Sequence, residues 1–130
     1  MIHLGKNTNS KIISKSIARA GGVSTYRGDV KIKEDATNSY SMIKCDTLIL
    51  DKDSISDTVP TNIVSNNTST IEHEATVSKI NDANIFYLES KGIPKETCEE
   101  LIVLGFLEEF RKELPMEYAV ELNQLLKKNL

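Results

Sequence analysis

The hydrophobic pattern of this 130-residue chain changes period near residue 81. Before that point, short runs rich in Ile, Val and Thr are broken by Gly, Asn, Asp and Pro. The spacing predicts strands over 11–18, 23–32, 41–50, 62–65 and 70–80. Breaks fall at Gly21-Gly22, Glu34-Asp35, residues 51–57 and Asn66-Asn67. The strands recur at roughly even intervals with no helical pattern between them. Hairpins, a sandwich and a β-solenoid all produce that signature, and periodicity alone does not choose.

After residue 81 the apolar spacing becomes helical. A first helix is expected over 82–90, ended by Gly92. Pro94 suits the first position of a second helix over 95–113, and Pro115 repeats the device for a third. The second helix carries the stripe Cys98, Leu101, Ile102, Gly105, Phe106 and Phe110. The third carries Tyr118, Ala119, Leu122, Leu125 and Leu126. The expected organisation is a β part over 1–80 and a small helical bundle over 81–130, mainly β with an α tail. Helix pairs of this kind pack on a core or offer a second apolar face to a partner. Phe106, Phe110, Tyr118 and Leu122 are the candidates for such a face.

Composition narrows the partners. Net charge is −3, and Lys and Arg form no stripe, which argues against nucleic acid. No apolar run approaches the roughly 20 residues of a membrane span, and the N-terminus has no signal-peptide pattern. Two cysteines, Cys45 and Cys98, give no disulfide framework, so thiols and a cytoplasmic or plastid-stroma location are expected.

The chemistry-bearing residues are Cys45 and, 27 positions later, Glu72-His73-Glu74. A thiol, an imidazole and two carboxylates form a mixed S/N/O set, which suits iron or zinc better than magnesium or calcium. Strand alternation puts Ile71, His73, Ala75 and Val77 on one face, and Glu72, Glu74, Thr76 and Ser78 on the other. The same parity groups Cys45 with Ile43 and Ile49. Cys45 and His73 can therefore meet inside, while a site that also uses Glu74 needs a bulge or a strand end. Taken singly, each has a plainer reading: His73 as a hydrogen-bonded core histidine, Cys45 as a small buried hydrophobe, the glutamates as a solvated face. A zinc-protease helix is excluded because position 77 is Val77 rather than a second histidine. Cys45 with His73 and a carboxylate could also form a thiol-nucleophile site. Cys98 sits on a helical stripe with Leu101 and Ile102 and reads as core filler.

One resemblance covers essentially the whole chain. It rests on several segments in order: His3-Leu4-Gly5-Lys6-Asn7-Thr8, Ser14-Lys15-Ser16-Ile17, Tyr26-Arg27-Gly28, Lys44-Cys45-Asp46 and Thr58-Val59-Pro60. These are followed by the run from Glu72-His73-Glu74 to Ile80, Phe86-Tyr87-Leu88, Gly105-Phe106 and Leu114-Pro115-Met116. The order resembles the C-terminal part of the SufB/SufD family, scaffold subunits of iron–sulfur cluster assembly. The Cys45-Asp46 and Glu72-His73-Glu74 signatures match its SufB branch.

That resemblance implies a fold and a role. The β part would be the last coils of a right-handed parallel β-helix. Cys45 would bind sulfur or a nascent iron–sulfur cluster, with Glu74, His73 and Glu72 as neighbouring ligands. The helices would dock SufC, an ABC-type ATPase, and the β part would pair with SufD or a second SufB copy. The subunit itself would catalyse no reaction. Full-length members are several-fold longer, so the chain corresponds to their C-terminal region, without the earlier coils. Two alternatives stand beside this reading. One is a SufD-like structural subunit that carries no cluster. The other is a hydrolase built on Cys45 and His73.

Overall fold

A computed structural model describes residues 1–129, with side chains throughout except at positions 96 and 129. Six strands come first: β1 (Ile2–His3), β2 (Asn9–Ala18), β3 (Val23–Ile32), β4 (Tyr40–Ile49), β5 (Ile55–Val64) and β6 (Thr70–Lys79). Three helices follow: α1 (Asp82–Ser90), α2 (Lys95–Glu113) and α3 (Met116–Asn129). The chain divides into two compact units, one over Met1–Ser78 and one from Lys79 onward. No helix is long and apolar enough to cross a membrane among the described residues.

In the first unit the strands form two three-stranded sheets, ordered β1-β3-β5 and β2-β4-β6. Consecutive strands thus lie in different sheets, and the chain passes to and fro between them. β1 pairs with β3, β2 with β4 and β3 with β5, all in parallel. Parallel pairing excludes hairpins, which join antiparallel neighbours. Side chains stack in register across the turns of this path. Ser10 meets Ser41, Lys15 meets Asp46 and Ser16 meets Thr47, each pair 31 positions apart. The corners repeat with the same period: Asn7 and Asn38 both take positive φ, at 57° and 54°. Asparagine is among the few residues that accept that conformation at modest cost.

β5 is longer than the sequence suggested. The acidic stretch before it and Pro60 within it look like breaks, and β1 is too short to announce itself. Pro60 pairs opposite Gly28, on a strand with an open edge. There a missing N–H does not interrupt a ladder on both sides. Asp51 closes the preceding corner by accepting from the Asp53 and Ser54 N–H groups at 2.8 and 2.7 Å.

Alternation along β4 points Ser41, Ile43, Cys45 and Thr47 inward. Val30, Ile43 and Cys45 form a buried cluster, against which Ile12, Tyr26 and Ile71 pack. Burying a side chain such as Ile43 contributes about 2 kcal/mol. Hydroxyl groups flank this cluster in satisfied networks. His3 contacts Thr8 and Ser10 through its two ring nitrogens, and Thr47 joins Ser16 to Ser56.

In the second unit, Asn81 caps α1 by accepting from the Asn84 N–H at 2.8 Å. Gly92, at φ 85°, ends it. α2 buries Cys98, Val103 and Leu107, a face rotated from the expected stripe. Leu101 and Phe110 are exposed instead. Apolar residues at 101–104, 106 and 107 wrap more than half of the helix, so spacing alone leaves its orientation open. The Cys98 thiol donates to the Pro94 carbonyl at 3.4 Å, inside this core.

Candidate functional site

Cys45 lies near the middle of β4 and is 5% exposed. Its two neighbours face the other way: Asp46 is 3.3 Å from the Lys15 ammonium and 4.0 Å from that of Lys44. Inside, the Cys45 sulfur meets a group from the opposite sheet, the hydroxyl of Tyr26 on β3. The same ring approaches His73 on β6, with centroids 6.3 Å apart and planes tilted by 57°. Three strands from two sheets thus bring together a thiol, a phenol and an imidazole.

Burial pushes the Cys45 thiol up from its usual value. The Tyr26 hydrogen bond opposes that push, and the negative charge of Asp46 adds to it. Tyr26 is raised too, first by burial and then by Cys45. Within the described residues, His73 Nε2 is the buried side-chain polar atom without a hydrogen-bond partner. Most buried polar atoms find one, so an orphan of this kind calls for an explanation, such as a water, an ion or a functional role.

The carboxylates lie elsewhere. β6 runs unbroken from Thr70 to Lys79, so Glu72 and Glu74 take the face opposite His73. Glu72 accepts from the Tyr40 hydroxyl at 2.7 Å, and Glu74 is exposed. No three Cys, His, Asp or Glu side chains converge into a metal-holding group among the described residues. Tyr26 and Gly28 are the members that spacing did not single out. The available signal was a glycine in mid-strand, two residues from an aromatic, which marks a close approach of another group.

Comparison with known proteins places the chain in a family. Residues 1–106 match the model of the SUF system FeS cluster assembly SufBD core domain. The chain belongs to the SufBD family. It is 54% identical over 127 residues to the iron–sulfur cluster assembly protein SufB of Bacillus subtilis, in the C-terminal part of that protein. SufBD family proteins of Staphylococcus saprophyticus and Staphylococcus haemolyticus are 54% identical over the same length. Each alignment covers 98% of this chain and 27% of the relative, so the chain spans about a quarter of the relatives' length. Parallel strands followed by helices, and membership of the SufBD family, agree with the expectation drawn from the motifs.

Proposed function

We propose that this chain is the cargo-holding end of a SufB-type scaffold, and that Cys45 and His73 receive sulfur or a nascent iron–sulfur cluster. The observation that supports the reading is the enclosed, unpartnered His73 Nε2 beside the ring that touches Cys45. A thiolate is the soft ligand that iron–sulfur chemistry uses, and a neutral imidazole is a common second donor. Two protein donors leave the remaining positions of a cluster to other ligands, which suits a cargo that must leave again. The metal would also stabilise the thiolate, because a coordinated thiol loses its proton.

In this reading Glu74 joins as an accessory ligand when a local bulge in β6 turns it inward while His73 stays in place, and β6 lies at the end of its sheet, where bulges are common. Glu72 contributes less. We infer further that the two parallel sheets are coils of a right-handed β-helix spanning 1–80, and that the helical part over 81–130 docks the SufC ATPase through Phe106, Phe110, Tyr118 and Leu122. SufD or a second SufB copy would pair with the β part. ATP hydrolysis would belong to SufC, and this subunit would act without catalysis of its own.

Anaerobic reconstitution with iron and sulfide tests the assignment. Wild-type chain should develop sulfide-to-iron charge-transfer absorption, and Cys45→Ser should lose it while keeping its circular dichroism. The hydroxyl that replaces the thiol is a hard, weakly acidic donor, and Tyr26 remains as its hydrogen-bond partner. Cys98→Ser should load as wild type does. Equal iron and sulfide content in wild type and Cys45→Ser would remove Cys45 from the site. A folded wild-type chain that takes up neither would favour the SufD-like structural reading.

A further inference from the structure

Tyr26 touches both halves of the candidate site. Its ring packs on the cluster that contains Cys45, its hydroxyl is within hydrogen-bonding reach of the Cys45 side chain, and its ring centroid lies 6.3 Å from that of His73. It does so from the sheet opposite the one that carries Cys45 and His73. The ring's place is built into its own strand. Two residues on, a Cβ at Gly28 would stand 2.6 Å from the Tyr26 hydroxyl oxygen, 2.7 Å from Cε1 and 2.9 Å from Cζ. Those distances lie well inside van der Waals contact, so any other residue at position 28 would push the ring away. Glycine weakens a strand interior, where it has no side chain to pack, and its presence there goes with a backbone that another group must approach. Here the approaching group is the phenol.

We propose that Tyr26 is a positioning residue of this site, clamped between Gly28 and His73 so that its hydroxyl holds the Cys45 sulfur in one orientation beside the imidazole. The role rests on the reading of Cys45 and His73 as ligands for an iron-bearing cargo. It deepens that reading by naming the group that aims the thiol. Once the sulfur binds metal, the same hydroxyl can donate to a remaining sulfur lone pair, and hydrogen bonds to ligating sulfur are a recognised means of tuning iron–sulfur centres.

The test uses the full chain carrying Cys98→Ser, which leaves Cys45 as its one thiol. Tyr26→Phe removes a single oxygen, and Gly28→Ala displaces the ring, each added to that background and checked by circular dichroism. The Raman S–H stretching band of Cys45 reports its hydrogen bonding without any metal. A band that moves in both variants is expected. An unmoved band in Tyr26→Phe would overturn the contact. Cobalt(II) titration, followed by thiolate-to-cobalt charge-transfer absorption, then reports the role. Tyr26→Phe should bind cobalt about fivefold more weakly, the effect of losing one ordinary hydrogen bond. Equal cobalt affinity alongside a moved Raman band would make Tyr26 structural only. Absence of a cobalt band in the parent chain would remove the ligand reading and the positioning role together, whatever the Raman band does. Should Gly28→Ala fail to fold, the more conservative Tyr26→Phe decides alone.

Discussion

The Tyr40 hydroxyl donates to Glu72 at 2.7 Å, across the outer face of the second sheet from β4 to β6. Glu72 is thereby engaged on the side away from Cys45. This hydrogen bond raises Tyr40 above its ordinary value. Glu72→Gln should therefore bring the Tyr40 titration back towards about 10. Ultraviolet absorbance of phenolate against pH measures it, with Tyr40→Phe to identify the transition. In reconstitution, Glu72→Ala should retain most of its iron, whereas Glu74→Ala should lose a larger share. The opposite order would count against Glu74 as the accessory ligand.

Ile43 is 1% exposed at the centre of the inner cluster, and Val59 stands exposed on β5. Ile43→Ala should cost about 3 kcal/mol, the transfer of lost methyl groups plus a cavity. Val59→Ala should stay within about 0.5 kcal/mol. Urea denaturation compares them. Similar losses at both positions would mean that the core of the first unit lies elsewhere.

Asp51 supplies an acid limit. Desolvation disfavours its charge, but hydrogen bonds from the Ser54 N–H and hydroxyl and from the Asp53 and Gly21 N–H groups outweigh it, and hold the carboxyl at about 2 against an ordinary 3.8. The folded value lies below the unfolded one. The stability that this group contributes is therefore complete above about pH 4 and is lost as pH falls towards 2. Asp51→Asn should flatten the fall of the urea midpoint across that window. An equally steep fall in the variant would assign the acid sensitivity to other carboxylates.

Val103 and Phe110 separate core from exposed surface on α2. Val103 is fully buried, whereas Phe110 is 43% exposed. Val103→Asp buries an unpaired charge and should cost more than about 3 kcal/mol, enough to unfold the second unit. Phe110→Asp should leave the helical circular dichroism intact while abolishing co-purification with SufC. Retained co-purification of a folded Phe110→Asp chain would exclude that residue from the docking face.

The legible parts of this fold are those in which one physical signal dominates. Thr70 to Lys79 alternates cleanly, and β6 has those bounds. Parity also placed Cys45 and His73 inward and sent Glu72 and Glu74 outward, because β-strand geometry leaves no other arrangement without a bulge. Sequence spacing revealed only the end of β5, as a strand over 62–65, since Pro60 and the acidic run before it are ordinary strand breakers and only an edge position excuses the proline. The burial face of α2 was misjudged for the opposite reason: too many apolar residues surround that helix for period alone to choose. Tyr26 was invisible as a site member because its partners, Cys45 and His73, lie 19 and 47 positions away and on another sheet. No local pattern encodes a contact across a core.

The shared conformation of Asn7 and Asn38, together with the hydroxyl pairs 31 positions apart, has a consequence for how this chain can change length in evolution. A single inserted or deleted residue within a strand would turn its inner row outwards and its outer row inwards. An insertion or deletion of one whole winding would leave every row beneath its own kind. Gains and losses in such a chain are therefore tolerated in steps of a winding, or as loop tips grown at a corner, and seldom in between.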